Sequence, residues 1–199
     1  MKKTNKRIIF LFMLFSLTTT TSFAENDPYY IGLSIGPVFE QLEETLAKNY
    51  FKRSTTLDFD NAFGFQLRAG YIKNEYLTGE AVLEYVFPFE SNRQYENVEL
   101  DVLHFAIQSK IMYPQPGSLH PYALLGMGLM NSNMKATINF DNSNIEETEW
   151  GLSTKLGAGV DIYITPNVFS HVEMAWTKGM GNVDHIQYPA FIFGGNYRF

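Results

Sequence analysis

The chain has 199 residues, 16% of them aromatic, no cysteine and a net charge of −6. The missing cysteines exclude disulfide staples and thiol chemistry. The acidity argues against nucleic acid or other polyanions as partners. Beyond its start, no segment approaches the roughly 18 consecutive apolar residues of a spanning helix, whereas membrane strands, short and only half apolar, remain allowed.

Residues 1–24 read as a cleaved signal peptide. Lys2, Lys3, Lys6 and Arg7 give a basic start, Ile8 to Leu17 an apolar run, and Ser22-Phe23-Ala24 a small-x-small cleavage site. Removal leaves residues 25–199 as one domain with 11 basic side chains against 21 acidic, a net of −10.

From there the pattern has period two. Tyr29 to Phe39 presents Ile31, Leu33 and Ile35 on one face. A long connection, Glu40 to Asn61, follows. It holds a possible helical turn, Leu42 to Lys48, and Glu40, Glu43, Glu44, Asp58 and Asp60 outnumber Lys48, Lys52 and Arg53. Ala62 to Lys73 sets Phe63, Phe65, Leu67, Ala69 and Tyr71 against Gly64, Gln66, Arg68 and Gly70. After Asn74-Glu75, Tyr76 to Phe87 sets Leu77, Ala81, Leu83, Tyr85 and Phe87 against Thr78, Glu80, Val82 and Glu84. A medium connection, Pro88 to Asn97, leads to Val98 to Tyr113, where Leu103, Phe105, Ile107 and Ile111 oppose His104, Gln108 and Lys110. A short one, Pro114 to His120, leads to Pro121 to Met134, with Ala123, Leu125, Met127 and Leu129 as its apolar face.

A second long connection, Lys135 to Thr148, carries Glu146 and Glu147. Trp150 to Ile164 then alternates Leu152, Leu156, Ala158 and Val160 with Ser153, Lys155, Gly157, Gly159 and Asp161. Beyond Thr165 to Asn167, Val168 to Lys178 sets Val172, Met174 and Trp176 against His171, Glu173 and Thr177. Gly179 to Tyr188 joins this to a last segment with Phe191, Phe193, Gly195, Tyr197 and Phe199 on one face.

Eight alternating segments, each long enough to cross a bilayer when tilted (which takes roughly 9–11 residues), are joined by connections that alternate between longer and short. This predicts an all-β fold, an eight-stranded antiparallel up-and-down transmembrane β-barrel with both termini on the periplasmic side. The apolar faces carry no charge and aromatic residues cluster at their ends. Tyr29, Tyr71, Tyr113, Tyr122 and Phe199 mark one end; Phe39, Phe63, Phe87, Trp150, Trp176 and Phe191 mark the other. Two such girdles place the apolar face toward lipid rather than toward a soluble ligand cavity.

The inward faces then hold Arg68, Lys110, Lys155 and Arg198 against Glu80, Glu84, Asp161 and Glu173, with His104 and His171 among them. Buried charges need partners, so this set predicts a structural charge network inside a filled lumen. Ten of twelve strand glycines point inward and make room for it. No catalytic, cofactor-binding or metal site emerges. Gly32-Leu33-Ser34-Ile35-Gly36 matches a nucleophile-elbow string but lies within a strand. Gly157-Ala158-Gly159 lacks the third glycine of a dinucleotide loop. His171 and Glu173, two apart on the inward face, fit the charge network better than an acid–base pair or half a metal site.

Pro121-Tyr122-Ala123-Leu124-Leu125-Gly126-Met127-Gly128 and Gly157-Ala158-Gly159-Val160-Asp161, followed by Thr165-Pro166-Asn167, resemble hairpins of the small outer-membrane β-barrel domain family. That family includes the OmpA transmembrane domain, OmpX and the opacity proteins. The ending also resembles the family's assembly signal, with Phe193, Gly194, Tyr197 and Phe199 in place and Ile192 where a polar residue is usual. The resemblance implies an exported protein of the outer membrane of Gram-negative bacteria, with lipids, lipopolysaccharide and the barrel-assembly machinery as partners. It implies surface loops that serve envelope integrity, adhesion or contact with a host or environmental ligand. A narrow porin-like channel is the alternative. A lipid A-modifying enzyme is less favoured: the deacylase type carries His-x-Ser where this chain has His171-Val172-Glu173.

Overall fold

Period-two alternation with an uncharged face on every segment leaves one way to bury each strand's hydrogen-bonding edge, which is closure of the sheet on itself. The computed structural model describes residues 28–39, 60–92, 96–138 and 143–199, and they form that closed barrel. Its strands are β1 (Tyr29–Val38), β2 (Ala62–Ile72), β3 (Leu77–Asn92), β4 (Glu96–Met112), β5 (Leu119–Ile138), β6 (Ser143–Tyr163), β7 (Val168–Met180) and β8 (Gln187–Arg198). Each pairs antiparallel with its sequence neighbour. β8 closes on β1 with Tyr30 opposite Arg198 and Ile35 opposite Phe193. The expected signal peptide, the helical turn at Leu42 to Lys48 and most of the acidic first connection lie outside the described residues.

Three short connections and both ends of the barrel chain share one rim, the turn end. Their caps are local. Asn74 Oδ1 accepts from the backbone N–H of Tyr76 and Leu77 at 2.9 and 2.8 Å, and Thr165 Oγ1 accepts from that of Val168 at 3.0 Å. Gly117 holds a φ of 113° in the turn between β4 and β5, a conformation side chains disfavour.

At the opposite rim, the loop end, the strands run further than the hydropathy suggested. Pro88 to Asn97 was expected as a connection, yet β3 continues to Asn92 and β4 begins at Glu96. Glu146 and Glu147 lie within β6 rather than in a loop, paired with Lys135 and Met134 of β5. The expected connections Pro88 to Asn97 and Lys135 to Thr148 are therefore largely strand among the described residues, whereas Gly179 to Tyr188 remains mostly a connection. Beyond Leu103 and Trp150, outward positions turn polar: Glu99, Asp101, Asn133, Lys135, Glu146 and Thr148. Apolar alternation therefore stops while backbone pairing goes on. A register shift between Val86 and Phe89 also turns Phe89 inward.

Around the middle of the barrel the outward face is a belt of bulky apolar side chains, including Ile31, Leu33, Phe105, Ile107, Leu125, Met127, Leu156 and Met174, all exposed. Tyr29, Tyr71 and Tyr113 ring its turn end, and Phe39, Phe63, Phe87, Trp150, Trp176 and Phe191 its loop end. Tyr122 corrects the expected girdle. It points inward and is buried, because it shares parity with Leu124 and Gly126 rather than with Ala123 and Leu125.

Candidate functional site

Every charged group expected inside lies on an inward position of its strand, and the structure brings all but Arg198 into one layer. Arg68 on β2 reaches Glu173 on β7 with a two-pronged contact. Nη1 donates to Oε2 at 2.8 Å and Nη2 to Oε1 at 2.9 Å. The same guanidinium donates through Nη2 to Gln66 Oε1 at 2.6 Å and stands 3.6 Å from Glu80 Oε2. Glu173 also accepts from Tyr122 at 2.9 Å and lies 3.5 Å from Lys155 Nζ. Lys110 joins the two sides of the layer, 3.0 Å from Glu80 Oε1 and 3.3 Å from Asp161 Oδ1, with its ammonium 4.3 Å from the centre of the Tyr122 ring. Tyr30 and Gln108 donate to the two oxygens of Glu80. Planar, charge-assisted contacts of this kind offset the desolvation that burial imposes on each ion.

Glu84 continues the layer toward the loop end. It accepts from Gln66 Nε2 at 3.0 Å and meets His104 Nδ1 at 3.2 Å, and His104 Nε2 meets Ser153 Oγ at 2.8 Å. His171 lies apart from Glu173 in contact. Its Nε2 is 3.1 Å from Ser34 Oγ and its Nδ1 is 2.9 Å from Asn196 Nδ2. Serine, imidazole and carboxylate in sequence are the parts of a nucleophilic triad, but both serines and both imidazoles are buried in the closed lumen. They serve there as hydrogen-bond partners for one another. Among the described residues no group of three or more His, Cys, Asp or Glu is arranged to hold a metal ion.

Arg198 departs from the expected four-to-four balance. It is half-buried at the turn end, one residue from the end of the chain and opposite Tyr30. The buried layer itself therefore holds Arg68, Lys110 and Lys155 against Glu80, Glu84, Asp161 and Glu173.

Inward glycines are the spaces these side chains occupy. Gly70 faces the Tyr30 ring, and a Cβ on Gly159 would stand 2.6 Å from the Tyr122 ring. Each pair is also opposed in register, Tyr30 with Gly70 and Tyr122 with Gly159. Gly194 lies against Leu33 O, and a Cβ there would reach Ser34 Oγ at 2.7 Å.

Two further features, neither visible as a separate element in the hydropathy pattern, close the lumen. At the turn end, rings meet in series, edge to face at both ends of the series and stacked only between Tyr163 and Phe169. Tyr30 meets Phe169 at 5.1 Å, Phe169 meets Tyr163 at 5.0 Å, and Tyr163 meets His120 at 5.0 Å between centroids. At the loop end, an apolar plug gathers Val38, Val86, Phe89, Leu100, Val102, Met130, Tyr188 and Ile192 from the wall with Val183 and Ile186 from the connection after β7. Ile192, the departure from the assembly pattern, is accounted for here: it is fully buried in that plug. The available signal was parity: Tyr30 and Tyr122 share it with inward glycines, and Leu100 and Val102 share it with His104.

The other residues of the expected assembly signal lie along β8 and just past it. Phe193 and Tyr197 point outward into the belt, Gly194 inward, and the Phe199 backbone N–H donates to Tyr29 O at 3.0 Å.

Comparison with known proteins agrees with this geometry. Residues 9–199 match the family described as outer membrane protein beta-barrel domain. Outer membrane protein A of Buchnera aphidicola subsp. Schizaphis graminum is 26% identical over 191 residues, 92% of this chain and 53% of that protein. Outer membrane protein A of Escherichia fergusonii is 24% identical over 127 residues, 64% of this chain and 36% of that protein. The chain thus spans about half the length or less of these curated relatives. Among solved structures, Neisserial surface protein A aligns with a TM-score of 0.60 at 13% identity, covering 87% of this chain and 98% of its own. Ail, the attachment invasion locus protein of Yersinia pestis, aligns at 0.55 and 18% identity, covering 87% and 100%. At these identities the likeness is one of fold.

Proposed function

Because the chain belongs to the outer membrane protein β-barrel domain family, we propose that it works as a non-enzymatic membrane scaffold, displaying structure at the cell surface for adhesion, envelope integrity or contact with an external ligand. The observation that carries this reading is the continuation of β3 to β6 past the apolar belt. Strands with polar residues facing outward, such as Glu99, Asp101, Lys135 and Glu146, are built for water rather than lipid. Recognition on such proteins sits on segments held by a rigid scaffold. The acidic balance favours a neutral or basic partner over a polyanion. On this reading residues 1–24 direct export, both termini face the periplasm, and Phe193, Gly194, Tyr197 and Phe199 guide insertion by the assembly machinery.

The alternative of a constitutive narrow pore is disfavoured by the series of ring contacts at one end, the ion-pair layer in the middle and the plug at the other. The decisive experiment replaces residues 136–145 with a two-residue Asn-Gly turn. The reading expects an unchanged heat-dependent shift on unboiled gels and lost binding to the cells or matrix that bind wild type. Full binding by the trimmed barrel contradicts it.

A further inference from the structure

The lipid-facing belt thins toward the turn end of β2 and β3. There it drops to Ala69, Ala81 and Gly79, with Ala69 opposite Ala81 and Gly79 opposite Tyr71. One outward row nearer the middle, Leu67 faces Leu83 and the bulk returns. A ring pair, Tyr29 against Tyr71 with centroids 5.2 Å apart, stands on one side of the gap. Ile107, opposite Ala81 on β4, stands on the other. Between them lies an outward-facing groove of about 490 Å³, within the roughly 300–1,000 Å³ of small-molecule sites.

Gly79 is the residue of this groove that barrel packing leaves unexplained. Inward glycines make way for lumen side chains, but a Cβ on Gly79 would meet nothing within 4 Å. Its backbone does not require glycine either: positive φ occurs among the described glycines only at Gly117 and Gly181. Glycine inside a strand weakens it and often marks the close approach of another group. On this face the approach comes from outside the barrel. The groove also has a charged mouth. Lys73 continues the outward row of β2 two residues past Tyr71, roughly 7 Å nearer the rim. It is exposed, and its ammonium has no ion pair among the described residues.

We propose that this groove holds one acyl chain of a phospholipid from the turn-end leaflet, with the lipid phosphate on the Lys73 ammonium. The proposal rests on the reading of the belt as lipid-facing. A tail gains no hydrophobic energy by leaving other tails, so retention comes from close packing on the bare floor and from the charge at the mouth. A second copy of the chain fits less well. A two-fold contact would set groove against groove and bring one Lys73 toward the other.

The test uses the barrel folded in detergent micelles, its heat-dependent gel shift checked first. Native mass spectrometry then follows added palmitoyl-oleoyl phosphatidylglycerol. The expected spectrum saturates at one lipid per barrel. Gly79→Leu, whose side chain has room outside the wall, abolishes binding, and Ala81→Phe does the same from the neighbouring strand position. Gly195→Leu, at the other outward glycine with nothing within 4 Å, binds as wild type does. Lys73→Gln weakens Kd about fivefold through the lost surface charge, while dioleoylglycerol, which lacks the phosphate, binds both proteins alike. Undiminished binding by Gly79→Leu and Ala81→Phe, or a graded run of adducts that never saturates, overturns the proposal. So does a dimer peak that Gly79→Leu removes, which would assign the groove to a second copy. A barrel that shows the gel shift yet retains no lipid sinks this site alone. A chain that stays soluble without detergent and shows no shift overturns the membrane reading and the site with it.

Discussion

Replacing Glu173 with glutamine tests the ion-pair layer where it is densest. Glu173 accepts both prongs of Arg68 and the Tyr122 hydroxyl, and it faces Lys155. Glutamine keeps the volume but removes the charge, leaving a buried guanidinium whose next carboxylate oxygen, on Glu80, is 3.6 Å away. Removing one partner of a buried ion pair costs about 3–5 kcal/mol, while replacing both by apolar groups is often close to neutral. Urea unfolding in lipid vesicles, followed by tryptophan fluorescence, should therefore show Glu173→Gln far below wild type. Arg68→Met with Glu173→Met should recover at least half of the loss. A loss below about 1 kcal/mol, the scale of an exposed pair, would refute the reasoning, because it would mean that water reaches the layer.

Other substitutions separate the inner and outer faces. Gly128→Val drives a branched side chain into Phe105 O and His104 Nε2 and should cost at least the roughly 1–3 kcal/mol of overpacking. Gly195→Ala meets nothing within 4 Å and should be neutral or gain up to about 1 kcal/mol; unboiled-gel mobility and urea midpoints compare the two. Phe89→Ala, in the plug and fully buried, should lower stability by about 3–5 kcal/mol, measured by the same unfolding curves. Leu33→Arg, on the lipid-facing belt, should cost about 2–4 kcal/mol if that position lies near the bilayer midplane, and the loss should disappear when the arginine is moved outward to position 99.

The barrel is legible in the sequence because one chemical rule acts on every strand: lipid rejects charge on the outward face, so alternation persists wherever a strand crosses the apolar band. Past the band that rule lapses. Glu99 and Asp101 on β4, and Glu146 and Glu147 on β6, put polar residues in paired strand, and hydropathy reads them as loop. The plug was hidden for the opposite reason. Val98, Leu100 and Val102 face inward while Leu103 faces out, so an apolar lumen and an apolar belt merge into one run. The register shift before Phe89 adds a change of parity that no alternation pattern carries. Tyr122 was assigned by its position near a strand end, where aromatics favour interfaces, although its parity and its glycine partner Gly159 place it inside. The pairings of His104 with Ser153 and His171 with Ser34, 49 and 137 residues apart, depend on which strands neighbour which across the lumen. Composition lists the participants without arranging them.

The central claim is the inside–outside register, and adjacent residues on β6 test it most directly. Leu156 is 50% exposed on the belt, whereas Lys155 is 1% exposed in the lumen. The chain has no native cysteine, so Leu156→Cys and Lys155→Cys can each be probed in membranes with a lipid-phase thiol reagent. The account predicts labelling of Leu156→Cys and protection of Lys155→Cys. Labelling of Lys155→Cys with protection of Leu156→Cys would put the charged face outside, and would make the protein a soluble barrel around an apolar core.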